Sequence, residues 1–192
     1  MSLVAGVIGV QGNVSEHAEA IERACATRGI DVEVHEIRTS GIVPECDLLA
    51  MPGGESTTIS RLIHREGIAD EIVAHVEAEK PLLATCAGLI VAASDAHDDR
   101  VETLNLLDVD VERNAFGRQK DSFEAPLEFA GLAEPFPAVF IRAPVIDHVG
   151  DAEVLAEWND RPVAVCEGPV VATSFHPELT NDDRIHELAF FS

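Results

Sequence analysis

Leu82-Leu83-Ala84-Thr85-Cys86-Ala87-Gly88, continued by the apolar run Leu89 to Ala93, is the stretch on which the reading of this chain turns. Leu82 to Thr85 is too short for a helix and apolar enough for a strand buried on both faces. It runs without a gap into a turn with Gly88 and then into a segment that reads as a helix. Strand, sharp turn and helix therefore meet at Cys86. A nucleophile on such a turn stands exposed at the carboxyl end of a sheet. The following helix N-terminus lowers a thiol pKa and offers backbone N–H groups to a developing oxyanion. This segment alone reads equally well as a buried cysteine at the end of a strand.

Working outward, the same alternation recurs. Leu3 to Val10 reads as a first strand. Gln11-Gly12-Asn13 then turns the chain into a helix from about Val14 to Arg28, closed by Gly29. Val32, Val34 and Ile37 mark a second strand, and Asp47 to Met51 a third that ends at Pro52-Gly53-Gly54. A helical stretch from about Ser56 to Glu79 is interrupted near Gly67 and stopped by Lys80-Pro81. Beyond Leu104 the pattern shortens to strands at Leu107–Val111, Phe123–Phe129, Val139–Arg142, Val154–Trp158, Pro162–Cys166 and Val170–Ser174, with a last helix at Asp182–Phe190. The first half predicts an α/β fold with a parallel sheet covered on both faces, and the later strands extend it or form a small antiparallel side sheet. The polar stretch around His97 to Arg100 reads as a solvated loop.

The 192 residues suit a single domain over 1–192, and 46% hydrophobic content suffices for one core. No apolar run is longer than a buried strand, and the residues after Met1 do not form an export signal, so neither a membrane nor secretion is indicated. Cys25, Cys46, Cys86 and Cys166 form no CxxC pair, which suggests neither a metal site nor a disulfide framework and fits a reducing cytoplasm. A net charge of −22, from 35 acidic against 13 basic residues, argues against nucleic acid as a partner. With lysine limited to Lys80 and Lys120, the acidity is spread over the surface helices and reads as adaptation to high salt.

Two further stretches carry chemistry. Ser174-Phe175-His176-Pro177-Glu178 follows an apolar strand. A thiolate needs a base to form it and an acid for the leaving group, which histidine supplies, while a carboxylate orients the imidazole. With eight histidines in the chain, most are surface or satisfied core residues, and it is the adjacency to Glu178 after a buried strand that singles out His176. Pro52-Gly53-Gly54-Glu55-Ser56 lies between a strand and a helix, at the same sheet edge as Cys86. Its glycines let backbone N–H groups turn toward a ligand. A plain loop with a capping residue is the competing reading there.

Jointly these three segments resemble the class I, or triad, glutamine amidotransferases, which implies a flavodoxin-like three-layer sandwich. Within that superfamily, further stretches are similar to the glutaminase subunits of pyridoxal 5′-phosphate synthase. They are Gly9–Gly12, Pro52–Thr58, Thr85–Ile90, Val111–Gln119, Asp121–Glu124, Phe140–Pro144 and Ser174–Thr180, so the likeness covers nearly the whole chain. It implies Cys86 as nucleophile, His176 as general base and acid, and Glu178 as the group that orients His176. Gly54, Glu55, Ser56, Arg113, Ile141 and Arg142 would contact L-glutamine, and Gly54 and Ala87 would donate to the oxyanion. It also implies a partner, the PdxS synthase subunit, that takes up the ammonia, and no metal or organic cofactor. Asp110 stands where the family usually has an apolar residue, Asp121 follows Lys120 instead of an apolar neighbour, and the chain stops soon after Phe190-Phe191, a shorter last helix than in many relatives.

Two other readings compete. A glutaminase subunit of another pathway, such as imidazole glycerol phosphate synthase, shares the triad, but Glu112–Arg118 and Phe140–Pro144 speak against it. A non-catalytic redox or interaction protein on the same fold would use Cys86 and would not need His176, Glu178 and Arg113.

Overall fold

The computed structural model describes residues 2–113 and 122–192. Most of the Val111–Gln119 stretch, Lys120 and Asp121 lie outside them. In the first half β1 (Leu3–Ile8), α1 (Val14–Thr27), β2 (Val32–Ile37), β3 (Leu48–Met51), α2 (Ser56–Arg65), α3 (Ile68–Glu77), β4 (Leu82–Thr85) and α4 (Ala87–Ala92) alternate. The second half holds β5 (Ala93–Asp95), β6 (Leu107–Glu112), β7 (Ser122–Leu127), β8 (Phe136–Ile141), β9 (Val145–Val149), β10 (Glu153–Trp158), β11 (Arg161–Glu167), β12 (Val170–Thr173) and α5 (Arg184–Phe191).

The central sheet has seven strands in the order β10-β11-β12-β4-β3-β1-β2. β2, β1, β3, β4 and β12 pair in parallel, while β11 and β10 add an antiparallel edge. The expected mostly parallel sheet with antiparallel strands is therefore found. Alternate residues divide between its faces. Ile8, Leu49, Met51, Leu82 and Ala84 pack against Ile59 and Ile63 of α2, Ile68 and Ile72 of α3, and Leu89 of α4. Ala5, Val7, Leu48, Ala50 and Leu83 pack against Ile21 and Cys25 of α1, Ile185 and Phe190 of α5, and Phe136 and Phe140 of β8. Apolar neighbours on both faces explain why these strands read as unbroken apolar runs.

Gly67 separates α2 from α3 at φ 74°, and Gly29 ends α1 at φ 68°, conformations that glycine adopts without a Cβ penalty. The short β5 and β9 were not anticipated. β9 carries the polar Asp147-His148 and is made a strand by antiparallel pairing with β6 in a three-stranded side sheet. β7 and β8 form a separate two-stranded ribbon. Among the described residues no helix is long and apolar enough to cross a membrane.

Strand order reverses beside β1, whose sequence neighbour β2 lies on one side and β3 on the other. Loops leaving the carboxyl ends of strands on either side of such a point part and leave a crevice. Gln11-Gly12-Asn13 follows β1, Pro52 to Glu55 follows β3, and Cys86 follows β4.

Candidate active site

Cys86 stands between β4 and α4 at φ 52°, ψ −109°. A residue with a side chain is strained there by about 1–3 kcal/mol, and a rigid frame must hold it. Part of that frame is backbone: Cys86 N–H donates to Thr173 O at 2.8 Å, and Ile90 N–H donates to Cys86 O at 3.3 Å. Gly88 supplies the rest, because a Cβ there would lie 2.2 Å from Met51 O. Only glycine lets α4 sit so close to the end of β3.

His176 and Glu178 project from the turn after β12, where Pro177–Leu179 forms a 3-10 turn. His176 Nδ1 and Glu178 Oε1 are 2.6 Å apart, both nearly out of solvent. The His176 amide donates to Val139 O at 2.8 Å, which ties this turn to β8. Burial by itself would lower the His176 pKa. Hydrogen bonds with Cys86 and Glu178, and their negative charges, outweigh it and hold the imidazolium up to about 10. Glu178 would be raised by burial, but the facing His17, His176 and Asn13 bring it down to about 2. The pair is thus a stabilised imidazolium and carboxylate. Cys86 Sγ lies a long 3.9 Å from Ile141 O. Gly53 lies at the meeting point, since a Cβ there would be 2.7 Å from His176 Cε1 and 3.1 Å from Cys86 Cβ.

A cavity of about 490 Å³ opens over Cys86, and Gly54, Glu55, Ser56, Ala87, Arg113, Ile141, Arg142 and His176 all border it. Every residue singled out from the sequence is therefore on its wall except Glu178, which sits behind His176. Glu55 is engaged with its own helix: its carboxylate accepts from Thr57 N–H at 3.2 Å and Thr58 N–H at 2.9 Å, capping α2. Burial opposes its ionisation, yet the side-chain and backbone donors of Thr57 and Thr58 together bring its pKa down to about 2. Arg113 Nη2 reaches the same carboxylate at 3.3 Å. The buried Ser56 hydroxyl has no hydrogen-bond partner among the described residues and is free for a ligand. A larger groove of about 770 Å³, bordered by Gly9, Val34, Glu36 and Arg65, lies to one side and contains neither Cys86 nor His176. Size is a poorer guide here than the placement of the thiol and the imidazole.

The sequence reading missed four supporting residues. Asp98, assigned to a solvated loop, binds Arg113 Nη1 at 2.5 Å and Arg100 Nη2 at 2.7 Å with its side chain 14% exposed. Gln11 Oε1 accepts from the Glu55 amide at 2.5 Å and holds the loop after β3. Asn13 Nδ2 donates to Glu178 Oε1 at 3.2 Å. His17 is wholly buried behind the His176–Glu178 pair. For His17 a signal existed: with Ala20, Ile21, Ala24 and Cys25 it lies on the core-facing stripe of α1.

Residues 7–191 match the SNO glutamine amidotransferase family. The chain belongs to that family. The pyridoxal 5′-phosphate synthase subunit PdxT of Haloarcula marismortui is 73% identical over 100% of this chain and 98% of the relative. The protein of the same name from Halobacterium salinarum is 71% identical over 100% and 95%. A solved glutamine amidotransferase at 43% identity superposes with a TM-score of 0.85, covering 96% of both chains. The PurLQS structure from Thermotoga maritima, at 16% identity and a TM-score of 0.68 over 98% of this chain and 94% of that one, shares the fold. Halobacterial relatives accord with a carboxylate-rich surface suited to high salt.

Proposed function

We propose that this chain is the glutaminase subunit of a pyridoxal 5′-phosphate synthase, acting as one catalytic domain over 1–192, and that Cys86, His176 and Glu178 are its triad. The observation that carries the reading is the buried His176–Glu178 pair at 2.6 Å, aimed at a cysteine on a strained turn. His176 as imidazolium holds the proton given up by Cys86, and the thiolate attacks the side-chain amide carbon of L-glutamine. The oxyanion so formed is met by the backbone N–H groups of Gly54 and Ala87. His176 returns the proton to the departing nitrogen, ammonia leaves, and a γ-glutamyl thioester remains. Water, deprotonated by His176, then attacks the thioester, glutamate is released, and the thiolate and imidazolium are restored. Glu178 stabilises the imidazolium before ammonia leaves and again after water attacks.

The α-carboxylate of glutamine suits Arg113 and the Ile141-Arg142 segment, and its ammonium suits Glu55, with the Ser56 hydroxyl free as a further contact. Ammonia at neutral pH is protonated and lost as a nucleophile, so it must pass directly to the enzyme that uses it. The PdxS synthase subunit is that partner in our reading, since the relatives are named as subunits of the synthase. The test is glutamate release from glutamine with the partner present. Cys86→Ala should remove it by about 10⁴-fold or more while the thermal unfolding transition stays in place. Retained turnover would refute the triad.

A further inference from the structure

His17 is a buried titratable side chain that the reaction above does not use. It sits on α1, with no solvent exposure, between three other elements. Its Nε2 is 3.1 Å from Thr85 Oγ1, on the residue before the nucleophile, and 3.4 Å from Glu178 Oε2. Its Nδ1 is 3.2 Å from His186 Nε2 on α5. Glu178 Oε1 is already shared by His176 Nδ1 and Asn13 Nδ2. Its Oε2 has no hydrogen-bond partner among the described residues, and His17 Nε2 faces it at 3.4 Å.

These contacts fix the proton positions. An ionised carboxylate repels a lone pair at 3.4 Å, so His17 Nε2 carries a hydrogen, which is bonded to Thr85 Oγ1 and lies beside the Glu178 Oε2 charge. Burial favours the neutral ring and lowers the His17 pKa despite the nearby Glu178 charge. In a neutral ring Nδ1 is then a lone pair and accepts from His186 Nε2–H. His186 Nδ1 is left as a bare lone pair, in agreement with its lack of any partner among the described residues. The opposite tautomer would set a lone pair against the carboxylate.

We infer that His17 is a positioning residue of the glutaminase: its Nε2–H, bonded to Thr85 Oγ1 at the end of β4, faces the second oxygen of Glu178 and stabilises its charge there, so that Cys86, His176 and Glu178 keep one mutual geometry. The inference rests on the triad reading. The titratable and charged groups around Glu178 are His17 from α1, His176 from its own turn and His186 from α5, with Arg23 of α1 acting on His186. Loss of the His17 donor leaves the Glu178 carboxylate less stabilised, so its protonation moves to higher pH.

Two amides of different reach make the test. In His17→Gln the side-chain NH2 replaces Nε2 and can still donate to Glu178, whereas in His17→Asn it falls at the Nδ1 position, facing His186. With the synthase partner present, His17→Asn should lose about 10- to 100-fold in kcat. Its KM for glutamine should hold within about twofold, and the acid limb of its kcat–pH profile should move upward. His17→Gln should regain most of the rate and the wild-type limb. Equal rates in both variants, a loss carried by KM, an unmoved acid limb, or failure of both to show cooperative unfolding would overturn the positioning role. Cys86→Ala in the same assay separates the two ideas, because turnover retained there defeats the triad whatever His17 does.

Discussion

The two carboxylates of the candidate site make opposite use of the same charge. Glu178 is buried, and its neighbours are His176 of its own turn with His17 and Asn13 from the distant first helix and its entry. Glu55 lies at the rim with its side chain 45% exposed, tied to the first turn of its own helix and to Arg113. Both are held near pKa 2, but for different reasons. For Glu178 the facing histidines offset a large desolvation cost, so the pair is stiff and hardly screened by salt. For Glu55 the donors are local capping groups, worth about 1 kcal/mol, and the ion pair to Arg113 is of the exposed kind that salt weakens. In the proposed mechanism the half assigned to bond changes is preformed, while the half assigned to substrate recognition is held by contacts that salt and ligand can alter.

The sharpest way to break this contrast is Glu178→Gln, which keeps shape and removes the charge that stabilises the imidazolium. Its kcat should fall by about 10⁴-fold with KM little changed, and the ratio to wild type should be the same at 0.1 M and 2 M KCl. Gly53→Ala comes next. Its Cβ would press on His176 Cε1 at 2.7 Å, and steady-state assays should register about a 100-fold loss from misplacement of the imidazole. On the recognition side, Asp98→Asn frees the guanidinium of Arg113. Here KM should rise about three- to tenfold at low salt with kcat preserved, and the difference should shrink in 2 M KCl. A salt-independent Asp98→Asn effect would place that half in the stiff class as well.

Acid stability offers the smallest and subtlest comparison. Because the folded-state pKa of Glu178 lies near 2, below its ordinary 4.5, it adds stability that is complete above about pH 4.5 and lost as pH falls toward 2. Thermal unfolding of Glu178→Gln should therefore vary less steeply with pH across that window than the wild type. Glu55→Gln should differ from wild type far less, since its capping contacts are exposed.

Much of this was legible in order along the chain. Leu82 to Gly88 reads as strand, turn and helix because apolar length and a glycine punctuate locally, and Cys86 does stand at that turn. His176 and Glu178 are visible as neighbours two positions apart. Other features were not. Val145–Val149 is a strand because β6 pairs with it, and Asp98 looks like loop until Arg113 folds onto it. His17 is a polar interruption on an apolar stripe whose meaning depends on two residues more than sixty positions away.

By itself, then, the sequence determined what is local: the alternation that makes a parallel sheet, the strand-to-helix turns, the residue types able to carry thiol and imidazole chemistry, and a surface charge suited to salt. Tertiary structure decided which of eight histidines face a carboxylate. It decided which carboxylate is buried and which caps a helix, and that Gly53 and Gly88 are there for close approach. The division has a physical cause. Backbone propensity and apolar periodicity act over a few residues, whereas burial, tautomer and charge state are set by whatever atoms the fold brings within about 3 to 4 Å.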